Sequence, residues 1–309
     1  MANYLVTGVA GFIGSMVAKR LLDTGHCVKG IDNLSTGFIE TVPNGVDFVE
    51  AGVHEPKVIK RLEGEKFDAI LHIAGQSGGE MSYEDPVYDL QSNTQSTLLL
   101  LDLAKKINCK RVIYAGTVSV YGELDNPELI DESAPTFPKS FYGVGKLASE
   151  NYLRIYADQF DLETVSLRLF NIYGPGQNLK NFKQGIASIY LAQALQNKHI
   201  HIKGSPERYR DMVYIDDVVD AFITALTFSL SGYHFYNICT GKKTKVGELV
   251  NLIQNALPYE VTTEYSGSTP GDVFGYTGNP QKMIKETGWE PKVDIDKGIM
   301  QMVDWAINK

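Results

Sequence analysis

Tyr142 and Lys146 stand four residues apart in a stretch of helical period, so both side chains leave one face of a single helix. An ammonium beside a phenol favours the phenolate and lowers a tyrosine pKa that is about 10 when unperturbed. Such a tyrosine serves as general base or acid near neutral pH. Taken alone, the pair reads as the polar side of an amphipathic surface helix. Thr117 adds weight, because it lies at the carboxyl end of the fifth expected strand, where its hydroxyl would share the reacting oxygen of a substrate.

A second group of residues points to a phosphate ligand. Thr7-Gly8-Val9-Ala10-Gly11-Phe12-Ile13-Gly14 follows the first expected strand and opens the first expected helix. Gly8 permits the tight turn, Gly11 lets a pyrophosphate approach the backbone, and Gly14 lets helix and strand pack closely. The helix N-terminus adds unpaired N–H groups and a partial positive charge. A glycine-rich loop alone would be a structural turn; its strand–turn–helix context, with Asp32 ending the second expected strand, makes it a dinucleotide cradle. A carboxylate there accepts from both ribose hydroxyls and repels a 2′-phosphate, so NAD is expected rather than NADP.

These residues need a scaffold that brings strand ends together. Short apolar runs at 3–7, 28–32, 47–50, 69–73, 111–115 and 164–169 read as strands, with helices expected near 14–24, 55–62, 86–106 and 142–159. That alternation predicts an α/β fold: an open, doubly wound parallel sheet with its ligand crevice at the carboxyl ends of the strands. After Asn171 the rhythm changes. Helices are expected at 186–196, 216–227, 246–256, 280–286 and 295–307, with strands at 199–203 and 235–238, the latter able to rejoin the sheet. A smaller, sequence-discontinuous second domain follows from this pattern, with no internal repeat.

Composition bounds the function. The 309 residues carry 29 Lys+Arg against 37 Asp+Glu, a net charge of −8, with 43% apolar and 21% charged residues. This is the balance of a globular chain, and it argues against nonspecific binding to nucleic acid or anionic membranes, both of which need spread positive charge. Cys27, Cys109 and Cys239 fit neither a disulfide framework nor a metal knuckle; reduced thiols in a cytoplasmic protein are expected, and no metal site. The first residues lack the pattern of a signal peptide, and the apolar run Leu98 to Leu101 is far too short to span a bilayer.

The motifs taken in order resemble the extended short-chain dehydrogenases/reductases of the nucleotide-sugar epimerase/dehydratase family, over essentially the whole length. Beyond the glycine turn they are Asp32-Asn33-Leu34-Ser35-Thr36-Gly37, Leu71-His72-Ile73-Ala74-Gly75-Gln76, Thr117 with Val120-Tyr121-Gly122, and Tyr142-x-x-x-Lys146. Arg168-Leu169-Phe170-Asn171-Ile172-Tyr173-Gly174-Pro175, Arg210-Asp211 with Tyr214-Ile215-Asp216-Asp217-Val218, and Pro270-Gly271-Asp272 complete the series. The resemblance implies an NAD-binding Rossmann domain over 1–171 plus a strand near 233–240, and a nucleotide-sugar-binding domain over 172–232 and 241–309. It makes Tyr142 the catalytic base, Lys146 a ligand of the nicotinamide ribose, and Thr117 a partner of the sugar hydroxyl. The cofactor would contact Gly8, Gly11, Phe12, Ile13, Gly14, Asp32, Asn33, Ser35, Thr36, Gly37, Gly52, Val53, Ile73, Ala74, Gly75, Gln76 and Asn93 as well as Tyr142 and Lys146. Asn171, Arg210 and Asp272 would hold the substrate, the first two by its diphosphate, to which a guanidinium fork is suited. For Arg210 a surface ion pair with Asp211 or Glu207 is the alternative. A homodimer or homotetramer, packed through the helices near 86–106 and 142–159, and a place in polysaccharide synthesis are also implied.

Four departures from the family pattern bear on chemistry. Ala51-Gly52-Val53 stands where an adenine-binding aspartate is usual, leaving adenine to backbone and packing. Thr269 replaces a second diphosphate-binding arginine. The loop 76–80 is unusual, and its Glu80 either faces the sugar or is a solvated carboxylate. Val118 and Ser119 follow Thr117, where family 4,6-dehydratases place an acid, so 4,6-dehydration is disfavoured. Three activities remain in competition: a nucleotide-sugar 4-epimerase that regenerates its NAD, a 4-dehydrogenase or 4-ketoreductase that stops after one hydride transfer, and a non-catalytic NAD sensor.

Overall fold

The computed structural model describes residues 1–124, 129–229, 231–267 and 273–308. They divide into two units: 1–120, 136–168 and 219–236 form the first, and 121–135, 169–218 and 237–309 the second.

The first unit carries the strands β1 (Asn3–Thr7), β2 (Cys27–Asp32), β3 (Asp47–Glu50), β4 (Ala69–His72), β5 (Arg111–Thr117) and β6 (Glu163–Leu169). With the strand Tyr233–Ile238 they build one seven-stranded sheet in the order Tyr233–Ile238, β6, β5, β4, β1, β2, β3. The pairs β1–β2, β1–β4, β2–β3 and β4–β5 are parallel. Each expected strand is present, and β5 continues through Gly116 to Thr117. The strand order reverses at β1, so the carboxyl ends of β1 and β4, Thr7 and His72, flank the switch point where such sheets bind ligands.

The sheet is sandwiched because its strands are apolar on both faces: Leu5, Ile31, Ile70, Val112 and Tyr114 of one face share a core cluster with Leu100, Leu101 and Leu153 from helices, and Val6, Leu71 and Ile113 of the other face are buried. The helices of this unit include α1 (Phe12–Asp23), α2 (Pro56–Arg61), α3 (Gly79–Glu84), α4 (Pro86–Leu90), α5 (Ser96–Lys106) and α6 (Phe141–Phe160). Two details depart from the sequence reading. The expected loop at 76–80 runs into α3, which places Glu80 in a helical first turn. The expected helix over 86–106 contains a π-turn, Gln91–Gln95, between α4 and α5. The first residues of α5 bond back to it: Ser96 Oγ donates to the Ser92 carbonyl (2.5 Å) and Thr97 Oγ1 to that of Asn93 (2.8 Å).

Among the described residues, the second unit contains three two-stranded sheets. Asn171–Tyr173 pairs parallel with Met212–Tyr214, His199–Lys203 parallel with Thr262–Ser266, and Tyr209–Arg210 antiparallel with Thr244–Lys245. Only 199–203 among these strands is legible in the sequence; the others are too short for period-2 patterning. The boundaries also differ from the 172–232 and 241–309 division: 121–135 cluster with the second unit and 219–236 with the first. Residues 219–236 side with the sheet because Arg20 Nη1 pairs with Asp220 Oδ1 (2.6 Å) and Arg111 Nη1 caps the carbonyls of Leu226 (2.6 Å) and Phe228 (2.9 Å). No helix among the described residues is long and apolar enough to cross a membrane. All three cysteines are free thiols, Cys27 exposed and Cys109 and Cys239 buried.

Candidate active site

The glycine turn is built as its sequence demands. Gly8 has φ +74°, a conformation that a side chain strains. Its N–H donates to the Ile31 carbonyl (2.8 Å), and its own carbonyl accepts from Gly11 (3.0 Å). A Cβ on Gly14 would stand 2.6 Å from the Gly8 carbonyl carbon, so only glycine lets α1 begin this close to β1. Gly11, the N-cap of α1, has no side chain to satisfy the first-turn N–H groups of Phe12, Ile13 and Gly14. A Cβ there would meet only the Gly8 carbonyl oxygen, at 3.2 Å, which leaves the backbone open to an approaching anion.

Asp32 ends β2 nearly buried and is fixed by two backbone donors: Ala10 N–H to Oδ2 (3.0 Å) and Leu34 N–H to Oδ1 (2.8 Å). Each oxygen keeps acceptor capacity for a ribose hydroxyl. Asn33 instead closes an Asx turn, accepting from Ser35 N–H (3.1 Å), while Ser35, Thr36 and Gly37 continue over Ala10. Gly52 and Val53 are buried, and the Val53 side chain packs into the core with Leu5 and Ile31, which leaves backbone as what this position offers a ligand. The Gln76 side chain is spent on its own loop, bonded to both the N–H (2.7 Å) and the carbonyl (2.8 Å) of Gly78.

Around the other wall of the crevice, α6 is started by Ser140, whose hydroxyl accepts from Gly143 N–H (3.1 Å). Glycines then flank Tyr142 and Lys146 for a steric reason. A Cβ on Gly143 would lie 2.8 Å from the Ser119 carbonyl, two residues beyond Thr117, and one on Gly145 would lie 3.2 Å from Thr94 Oγ1 in the π-turn. The helix therefore lies against both the end of β5 and the turn that carries Asn93. Thr117 Oγ1 accepts from Ser119 N–H (3.2 Å) and donates to Ser119 Oγ (3.3 Å), a local hydroxyl pair on that wall.

Lys146 is buried, with Nζ donating to the Ala115 carbonyl (3.2 Å) and standing 4.8 Å from the Tyr114 ring centre and 5.8 Å from that of Tyr142. Burial lowers its pKa to about 8, against the opposing pull of Asp89 and Glu150. Glu150 is itself balanced: it accepts from Arg168 Nη2 (2.7 Å) and Nε (3.0 Å) and from Ser166 Oγ (2.9 Å). Asn93 is fully buried. Its Nδ2 donates to the Gln76 carbonyl (3.0 Å) and to Asp89 Oδ1 (3.0 Å), which turns Oδ1 toward Gly75; that oxygen is a buried acceptor without a donor among the described residues.

A buried histidine network behind these groups escaped the sequence reading. Thr7 Oγ1 accepts from the N–H groups of Ile73 and Ala74 (both 3.1 Å), so its own proton goes to His72 Nδ1 (2.9 Å). His72 Nε2–H then faces the hydroxyls of Ser96 and Thr97 (both 3.2 Å), which spend their protons on backbone carbonyls. The imidazole is thereby fixed neutral, and burial drives its pKa to about 3. Its effect is to lock the glycine turn, the end of β4 and the π-turn together. The one signal in the sequence was a histidine closing an otherwise apolar strand.

In the second unit, Asn171 is held by the Asp211 carbonyl, through its backbone N–H (3.1 Å) and Nδ2 (3.4 Å). Arg210 is largely buried; Nη1 donates to the Tyr209 carbonyl (2.7 Å), and the guanidinium lies 5.4 Å from the Tyr276 ring centre. The Asp211 carboxylate binds Thr240, Gly241 and Gly278, and Glu207 pairs with Lys245 (2.7 Å). Glu80 is exposed on α3 of the first unit. Asp272, with Thr269, Pro270 and Gly271, lies outside the described residues.

A dinucleotide fits what the first unit offers: an uncapped helix N-terminus, a bare Gly11, a fixed carboxylate at Asp32 and a buried acceptor beside a buried ammonium. The model of the NAD dependent epimerase/dehydratase family matches residues 4–239. A UDP-glucose 4-epimerase from Mycolicibacterium smegmatis is 33% identical over 313 residues, covering 99% of this chain and 98% of the relative. Two solved structures align over nearly the whole of both chains. A UDP-glucose 4-epimerase with UDP-glucose from Thermotoga maritima has TM-score 0.95 at 32% identity, covering 99% of each chain. One from Thermus thermophilus, in complex with NAD, has TM-score 0.92 at 33% identity, covering 98% of each.

Proposed function

Because the chain belongs to the NAD dependent epimerase/dehydratase family, we propose that it is an NAD-dependent 4-epimerase of a nucleoside-diphosphate hexose. The observation that carries this reading is the pairing of Tyr142 with a buried, still cationic Lys146 on one helix face, with Thr117 ending β5 and no acidic residue after it. NAD, when bound, supplies a hydride acceptor and donor that takes a sugar carbinol to the ketone and back. Tyr142 Oη takes the proton of the C4 hydroxyl and returns it to the product. Lys146 favours the phenolate by its charge, and Thr117 Oγ1 holds the reacting oxygen through a hydrogen bond. Gly11, Phe12, Ile13 and Gly14 offer backbone N–H groups to the pyrophosphate, and Asp32 binds the adenosine ribose. Asn171, Arg210 and Asp272 are assigned to the substrate. The relatives' substrate makes UDP-glucose the first compound to test.

The experiment is to incubate the protein with UDP-, GDP-, dTDP- and CDP-hexoses, without added cofactor, and to separate the sugars by chromatography. Interconversion of two C4 epimers is expected. A 4-keto sugar nucleotide formed with stoichiometric NADH would instead identify the one-way dehydrogenase.

A homodimer or homotetramer is part of the same proposal, supported by exposed apolar side chains at Val87 and Leu90 on α4 and at Phe141 and Val144 on α6. Sedimentation should give a multiple of the 34.2 kDa chain mass; a single-chain mass would remove this part of the reading.

A further inference from the structure

We propose that Asp89 is a positioning residue of this active site, orienting the Asn93 amide and keeping Lys146 cationic. The proposal rests on the reading of Tyr142 and Lys146 as the proton-transfer pair.

Asp89 is 1% exposed and stands four residues before Asn93 on the same helical stretch. Asn93 Nδ2 faces two acceptors, Asp89 Oδ1 and the Gln76 carbonyl, so the amide has one satisfied orientation. That orientation turns the unpartnered Oδ1 toward Gly75 and the Lys146 side: the position of a Cβ on Gly75 would be 3.2 Å from Lys146 Nζ. From the other side α6 presses onto Asp89, since a Cβ on Gly145 would lie 3.5 Å from Asp89 Oδ2.

The charges around Lys146 single Asp89 out. His72 from β4 is neutral, and Tyr114 from β5 and Tyr142 from α6 present their rings. Glu150, one turn along α6, is bonded through both oxygens to the Arg168 guanidinium of β6. Asp89 is therefore the carboxylate near Lys146 whose charge no guanidinium offsets among the described residues. Inside a low-dielectric crevice one such charge decides whether an ammonium keeps its proton. Burial raises Asp89 to about 6 and lowers Lys146 to about 8, and each is pulled back by the other, which leaves both ionised at neutral pH.

The test reads Lys146 directly. In protein labelled with carbon-13 at the lysine ε-carbon, the Lys146 resonance is identified by its absence from Lys146→Met and followed against pH. It should titrate near pH 8 and show a second, smaller step near pH 6 as Asp89 takes up its proton. In Asp89→Asn, which keeps the shape and an acceptor for Asn93, the lower step should vanish. Loss of the anion should move the main titration to lower pH by about one unit, with the alkaline fall of kcat/KM following it. Asp89→Leu should in addition weaken NAD binding to the cofactor-stripped protein, measured by calorimetry, because the Asn93 amide is released. A Lys146 resonance that titrates identically in wild type and Asp89→Asn, with no step near pH 6, would overturn the proposal. The lower step needs no variant, so a failure of Asp89→Asn to fold leaves the test intact. An enzyme that converts no sugar nucleotide, yet shows the coupled titration, would overturn the assigned activity and not the role of Asp89.

Discussion

Tyr142→Phe should lower kcat by about 10²–10⁴-fold while sugar-nucleotide binding, measured by calorimetry, stays within a few-fold of wild type. The substitution removes one oxygen and nothing else. The ring keeps its place on α6, 5.8 Å from Lys146 Nζ, and the Ser140 cap and the Gly143 and Gly145 contacts that seat the helix do not involve the phenol oxygen. What is lost is the group to which we assign transfer of the C4 hydroxyl proton. Thr117 cannot replace it, because an unactivated hydroxyl is far too weak a base near neutral pH. A kcat within about five-fold of wild type would mean that another group carries the proton and that the Tyr142–Lys146 pair is structural.

The second large effect separates the two glycines to which the sequence gives different tasks, phosphate approach for Gly11 and helix–strand packing for Gly14. Gly14→Ala would set a methyl group against the Gly8 carbonyl, so either α1 or the turn must move. Overpacking of this kind costs about 1–3 kcal/mol, and it displaces the first-turn N–H groups that we assign to the pyrophosphate. The cofactor-stripped variant should melt at lower temperature than wild type, and its NAD affinity should fall by about two orders of magnitude. Gly11→Ala makes a different prediction. Its backbone is in an ordinary extended conformation, φ −83° and ψ 172°, and its Cβ would meet only the Gly8 oxygen at 3.2 Å. Its melting temperature without cofactor should stay close to wild type while NAD affinity drops, since the methyl group stands where the proposed site has the phosphate approach. Equal melting temperatures for Gly14→Ala and Gly11→Ala would contradict this account of the turn.

Much of the first unit was legible because its signals are local. The glycine spacing, the run of short apolar strands and the i, i+4 placement of Tyr142 and Lys146 are all properties of a few neighbouring residues, and β1 to β6 fall where their apolar runs do. The serine, asparagine and threonine of the π-turn were also visible. Their effect was not, because it depends on Ser149 of α6 reaching the Asn93 carbonyl (2.8 Å) across 56 positions. Glu80 shows the same limit from the other direction: Gly78-Gly79 reads as loop, and the chain nevertheless turns into α3 there. In the second unit the short strand pairs 171–173 with 212–214 and 209–210 with 244–245 are made by long-range hydrogen bonds that no local pattern announces.

Residue type and spacing within one or two elements are enough to specify the doubly wound sheet, the uncapped glycine turn, the carboxylate that ends β2 and the tyrosine–lysine pair. Tertiary structure alone decided the electrostatic state of that pair. Whether a lysine is buried, which carboxylate near it is already balanced, which tautomer a histidine adopts and which way an asparagine amide points all depend on groups brought together from separate elements. Lys146, Asp89, Glu150, Arg168, His72 and Asn93 come from α4, the π-turn, α6, β4 and β6. Only packing sets their distances and the local dielectric, and those two quantities fix where their protons reside.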